Sequence, residues 1–208
     1  MNQSCAIVSG GYRTGSTFIY ISAIEIFIHN FPQFNQGIKL NSELQNYDFN
    51  LPGIFKSHDF FPDGESFKII HTIRNPFDIL SSLKKCRVNL PDYMEEVKQI
   101  ILRDQGFKLG ENTLILKYEH FFGQEIKAID AIIKFLNLDY PYRLELAERE
   151  NYQNVKKYTD KLKPGNPTPY TANHISNNPE PGNYRKYLNK DEILKLREFL
   201  QEQNIDKY

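Results

Sequence analysis

The segment Gly10-Gly11-Tyr12-Arg13-Thr14-Gly15-Ser16-Thr17 constrains the fold more than any other stretch of this chain. It lies between a short apolar run, Cys5-Ala6-Ile7-Val8-Ser9, and a nearly all-apolar stretch over 16–29. A short apolar run stopped by two glycines reads as a buried strand ending in a turn. The longer stretch reads as a buried helix, with Ser22, Glu25 and His29 at helical spacing as its one polar stripe. Strand, glycine turn and buried helix open an α/β layered fold. Backbone N–H groups in such a turn point inward, and the helix start adds partial positive charge, so the loop suits an anion, phosphate above all.

The rest of the chain continues this pattern. Residues 67–73 and 113–118 read as strands, and Gly53 to Lys56 as another short one. Pro76 suits the first turn of a helix running to about Lys85. Further helices are expected over about 92–104 and over 124–136, where Ile126, Ile129, Ile132, Ile133 and Leu136 share a face. A last helix is capped by Asn189 with Glu192 and faces inward with Ile193, Leu196 and Leu200. Strands alternating with helices imply α/β architecture, a central mostly parallel sheet flanked by helices. Residues 164–184 break the pattern with Pro164, Pro167, Pro169, Pro179 and Pro181 and with Gly165 and Gly182. We take 159–188 as a lid or loop segment within a single domain spanning 1–208.

Composition narrows the function classes. The chain carries 26 Lys+Arg against 26 Asp+Glu, so nothing pulls it as a whole toward nucleic acid or an anionic membrane. Two cysteines, Cys5 and Cys86, are too few for a disulfide scaffold and suggest a reducing compartment. No leader pattern opens the chain, and the apolar stretch near its start is too short to span a bilayer. The expectation is a cytoplasmic protein, with neither nucleic acid nor membrane as partner.

Gly10 and Gly15 are spaced as in the loop G-x-x-x-x-G-K-S/T of nucleoside-triphosphate enzymes, but Ser16 stands where that loop has its lysine. That lysine serves the β and γ phosphates. The cation here is Arg13, so the loop fits a phosphate without the usual γ-phosphate clamp.

Four segments in chain order resemble the sulfotransferases that use 3′-phosphoadenosine 5′-phosphosulfate (PAPS). Arg13-Thr14-Gly15-Ser16-Thr17 matches their 5′-phosphosulfate loop position by position. Arg74-Asn75-Pro76, with Ser82 eight positions after the arginine, matches the pair that binds the 3′-phosphate in the family. Lys56-Ser57-His58 matches a segment whose lysine contacts the transferring sulfonate and whose histidine is the general base. Tyr118-Glu119 matches a tyrosine segment near the adenine, although Tyr118 reads equally as an amphipathic core residue. The C-terminal part departs from the family. Pro181-Gly182-Asn183-Tyr184-Arg185-Lys186 resembles the family's G-x-W region, with Gly182 in place and Tyr184 for tryptophan. The paired cations that precede that region are replaced by Asn177, Asn178 and Pro179. Arg185, Lys186 and His174 are candidates to stand in for them.

The resemblance implies a P-loop-like fold and transfer of a sulfonate from PAPS to a hydroxyl or amine of a small-molecule acceptor, without a metal. His58 would be the base and Lys56 the group neutralising charge on the transferring sulfonate. Arg13, Thr14, Gly15, Ser16 and Thr17 would hold the 5′ end, Arg74 and Ser82 the 3′-phosphate, with Tyr118, Gly182 and Arg185 completing the nucleotide site. Phe60, Phe61, Tyr93 and Tyr170 read either as walls of an acceptor pocket or as core. Two other classes stay open. One is a small-molecule or nucleoside kinase, for which Asp78 is a candidate magnesium ligand; the other is a nucleotide-binding module without catalysis.

Overall fold

The computed structural model describes residues 5–38, 44, 47–58, 67–85, 91–107, 110–159 and 180–205. Cys86, Phe60, Phe61, Tyr170, His174, Asn177, Asn178 and Pro179 lie outside these, as does most of the expected lid segment.

Five strands form one sheet: β1 (Cys5–Gly10), β2 (Asn35–Ile38), β3 (Gly53–Ser57), β4 (Lys68–Ile73) and β5 (Thr113–Lys117). Their order is β2-β3-β1-β4-β5, and every pairing is parallel. The sequence analysis anticipated β1, β3, β4 and β5. It missed β2, because Asn35-Gln36-Gly37-Ile38 lacks the apolar run that marks a buried strand. The helices are α1 (Ser16–Asn30), α2 (Pro76–Lys85), α3 (Tyr93–Gly106), α4 (Tyr118–Phe121), α5 (Glu125–Leu136), α6 (Arg143–Arg149), α7 (Tyr152–Thr159) and α8 (Lys190–Glu202), with a 3₁₀ turn over Asn183–Lys186. Of these, α4, α6, α7 and the 3₁₀ turn were not anticipated. Strand β5 stops at Lys117, one residue before its expected end, and Tyr118 opens α4.

All six residues of β1 are buried, so both faces of the central strand are covered, as a parallel sheet requires. The period of two sorts them. Ala6 and Val8 join the core beneath α1 and α5, with Ile19, Ala23, Ile26, Ala128 and Ile132 among its members; Cys5 and Ile7 face the opposite layer with Phe55 and Ile69. A third cluster joins α2, α3 and α8 through Leu80, Leu83, Ile100 and Leu196. The expected polar stripe on α1 needs one correction. Ser22 is fully buried among apolar neighbours, while Glu25 pairs with Arg149 at 3.0 Å and His29 is exposed. The helix is covered on a broader face than its polar residues suggested.

This topology sets the place of the site. From β1 the chain supplies one neighbour, β3, on one side and the other, β4, on the opposite side. In open parallel sheets the crevice beyond the carboxyl ends of strands at such a reversal is where ligands bind. The register brings Ser9 beside Ser57, Gly10 beside Thr72 and Ile73 beside Lys117. Gly10, His58, Arg74 and Tyr118 therefore all sit at or just past carboxyl ends.

Candidate active site

The loop between β1 and α1 is held in a shape few residues can adopt. Gly15, the N-cap of α1, has φ 88°, and a Cβ there would lie 2.8 Å from the Tyr118 ring and 2.9 Å from that of Phe121. Arg13 also lies in the left-handed region, at φ 68°, where a non-glycine residue is uncommon. The Thr14 hydroxyl donates to the Gly11 carbonyl (2.9 Å) and meets the Thr72 hydroxyl (2.7 Å), which fastens the loop to β4. The side chain of Thr14 is fully buried in this role, so a ligand would meet this residue through its backbone.

Lys56 follows from strand alternation. It shares the α1-facing side of β3 with Ile54, so its side chain runs under the first turn of α1 and Nζ donates to Thr17 Oγ1 at 2.7 Å. Lys56 is 7% exposed, and burial lowers its pKa to about 8. Among the described residues no carboxylate lies within 4.0 Å of this ammonium, a setting that fits an anionic ligand.

His58 follows β3 directly. Its Nδ1 is 2.7 Å from the Gly10 carbonyl oxygen. A carbonyl can only accept, so Nδ1 carries the hydrogen and the basic lone pair of the neutral ring is on Nε2. The imidazole stacks on the ring of Tyr12 with centroids 4.7 Å apart and planes 29° apart. Arg103 of α3 donates from Nη1 to the His58 carbonyl at 2.6 Å.

At the end of β4, Arg74 donates from Nη1 to the Arg13 carbonyl at 3.1 Å, and its guanidinium lies 4.0 Å from the Tyr118 ring centroid. Arg13 in turn donates from Nε to Ser82 Oγ at 2.9 Å. Arg13, Arg74 and Ser82 thus come together, and Tyr118 packs between Arg74 and Gly15 with its far side in the α1 core. Burial raises the Tyr118 phenol to about 12. Asn75 donates its backbone N–H to Glu119 at 2.7 Å, which ties the Arg74 turn to α4.

The C-terminal segment docks against the same helix. Asp78, 3% exposed in the first turn of α2, accepts the N–H groups of Gly182 (2.7 Å) and Tyr184 (3.1 Å). Tyr184 stacks on Phe77 at 5.0 Å. Gly182 has φ 82°, which permits the turn into the 3₁₀ segment. Arg185 and Lys186 are exposed, and the Arg185 guanidinium lies over the Tyr184 ring at 5.7 Å. Sequence reasoning missed Asp78 as the anchor of this segment. The sequence offered the residue as a candidate magnesium ligand of the kinase reading, and its partners lie 104 and 106 positions away. It also missed Tyr12 and Arg103, which lie outside the segments that carry the resemblance. Tyr93, read from the sequence either as a pocket wall or as core, packs at the edge of the α2–α3–α8 core.

At the level of sequence, no family model and no curated relative matches the chain. Solved structures do match in shape. The crystal structure of mouse sulfotransferase SULT7A1 complexed with PAP superposes with a TM-score of 0.67 at 17% identity, covering 96% of this chain and 84% of that one. Retinol dehydratase in complex with androsterone and inactive cofactor PAP superposes with a TM-score of 0.70 at 14% identity, covering 100% and 83%. The retinol dehydratase complex with retinol and PAP gives 0.67 at 12%, covering 100% and 84%. The chain has the sulfotransferase fold. Among the described residues no group of three or more His, Cys, Asp or Glu could hold a metal ion, and no helix is long and apolar enough to cross a membrane.

Proposed function

We propose that this protein transfers a sulfonate group from PAPS to a hydroxyl or amine of a small-molecule acceptor, releasing 3′,5′-bisphosphoadenosine (PAP). One observation carries the reading. A buried ammonium, Lys56, and an imidazole with its lone pair on Nε2, His58, leave the same strand end on either side of the phosphate-type loop. A module that only binds nucleotide has no need of that base.

His58 Nε2 takes the proton of the acceptor as the new bond to sulfur forms. The sulfur–oxygen bond to the 5′-phosphate breaks on the opposite side. Lys56 offsets the negative charge that builds on the bridging oxygen, and the first turn of α1, with Ser16 and Thr17, receives the 5′-phosphate. Arg74 and Ser82 hold the 3′-phosphate. Arg13 joins them rather than the 5′ end, a change from the sequence expectation supported by its 2.9 Å bond to Ser82. Gly182 and Arg185 close the nucleotide side from the C-terminal segment. Tyr118 acts from beneath the nucleotide, carrying Arg74 on its face. The retinol dehydratase complexes with androsterone and retinol favour a small, largely apolar acceptor. We place the protein in the cytoplasm, a reading supported by the free, buried Cys5.

The kinase reading loses support from Asp78, because both of its carboxylate oxygens are engaged by backbone N–H groups. The test is direct. PAPS with a mixed panel of phenols, sterols, alcohols and amines should give PAP and an acceptor heavier by one sulfonate. Binding of ATP with magnesium in preference to PAP, with no transfer from PAPS, would overturn the proposal.

A further inference from the structure

Among the described residues, three contacts hold the His58 imidazole and its backbone, and two come from residues outside the segments that carry the resemblance. The Nδ1–H donates to Gly10. That bond sets the tautomer but leaves the ring able to pivot about it. The Tyr12 ring lies against the imidazole face at 4.7 Å and 29°, which restricts the pivot. Arg103 fixes the other degree of freedom by donating to the His58 carbonyl at 2.6 Å. Arg103 is itself braced within α3, Nη2 lying 3.5 Å from Glu96 and Nε 3.4 Å from the Gln99 carbonyl. His58 sits one residue past the end of β3, beyond the last register pair with β1. A base on such a strand end needs outside support to stay within the few tenths of an ångström that proton transfer demands.

We infer that Tyr12 and Arg103 are positioning residues that clamp the His58 ring and backbone in the orientation that aims Nε2 at the acceptor. Tyr12 works by its face alone, so phenylalanine should serve there. Arg103 works through one directed N–H, so lysine should serve in part and methionine should not. Tyr12 is 41% exposed, so its replacement leaves the core intact. Among the described residues, the charged and titratable groups around His58 are Tyr12 from the loop after β1, Arg103 and Asp104 from α3, His71 from β4 and Lys56 from β3. Of these, Arg103, Asp104 and His71 border with His58 a cavity of ≈ 10 Å³, room for a single water. His71 and Asp104 are paired at 2.9 Å, and neither substitution touches that pair.

The inference rests on the proposed sulfonate transfer for its kinetic arm and stands apart from it in a second arm. In kinetics, Tyr12→Leu and Arg103→Met should each lower kcat by about tenfold or more with PAP affinity within about twofold of the parent, while Tyr12→Phe recovers most of the loss. A kcat unchanged in Tyr12→Leu, or a loss of PAP affinity in step with kcat, would overturn the clamp. The second arm is proton NMR of the unliganded protein. The ring current of Tyr12 should hold the His58 Hε1 resonance upfield, Tyr12→Leu should release it, and Tyr12→Phe should keep it. A resonance that does not move in Tyr12→Leu overturns the clamp whether or not the protein transfers sulfonate. A parent protein that transfers none, with the resonance moving as expected, sinks the functional proposal alone.

Discussion

The two ends of the proposed nucleotide crevice are built differently. On the loop side, Lys56, Arg74 and Thr17 are buried and placed by strand register and by the first turn of α1. Their cations have nowhere else to point. On the C-terminal side, the segment from Gly182 to Lys186 is held by its backbone, through Asp78, and by one ring stack, while Arg185 and Lys186 remain in solvent. The first end is preorganised and the second is docked. Preorganised donors act at full strength because they need no rearrangement when charge develops; exposed cations are screened and contribute little.

Breaking the preorganised end should have the larger effects. His58→Ala should cut sulfonate transfer by about 100-fold or more while PAP affinity, read by calorimetry, stays within about twofold. Transfer that survives intact would remove His58 from the chemistry. Arg74→Ala should weaken PAP by roughly 10- to 100-fold, the loss expected of a charged hydrogen bond to phosphate in a buried setting. Equal affinity would break the assignment of this end.

The buried ammonium adds a pH signature. Lys56 titrates near 8 in the folded protein against 10.5 unfolded, so between these values the unfolded chain binds more protons and folding stability rises with pH on this account. Ligand binding runs the other way. A phosphate beside Lys56 favours the charged form, so PAP affinity should be full below pH 8 and fall by up to about tenfold per unit above it. Lys56→Met should flatten that dependence; a slope that persists would assign it elsewhere.

The docked end should respond weakly to its cation and more strongly to its anchor. Asp78→Asn turns one acceptor into a donor facing a backbone N–H, which should cost roughly 1–3 kcal/mol in unfolding free energy and loosen PAP several-fold. Arg185→Ala should change PAP affinity by about twofold at most, since its guanidinium is in solvent. A larger effect from Arg185 than from Asp78 would reverse the comparison.

Much of the fold was legible because its signals are local. The glycines of the first loop, the apolar runs of β1 and β4, Pro76 at a helix start and the Asn189–Glu192 capping box each act within a few residues, and the structure contains them all. Strand β2 was not legible because Asn35-Gln36-Gly37-Ile38 is a strand only through its pairing with β3. Ser22 misled for a related reason, since a hydroxyl is small enough to be buried in a helix whose polarity alone suggested a solvent-facing stripe.

The residue types at the site were in the sequence: a loop that takes an anion, a lysine and a histidine two positions apart, an arginine at a strand end. Which of them meet is a matter of distance in space between residues far apart in the chain. Only the tertiary structure turned Arg13 toward Ser82, set Asp78 under Gly182 and Tyr184, and brought Tyr12 and Arg103 to the two sides of His58. Sequence fixes what a side chain can donate or accept, because that is covalent chemistry. Packing decides its partner, because a hydrogen bond or ring contact requires groups within a few ångströms, and separation along the chain says nothing of that.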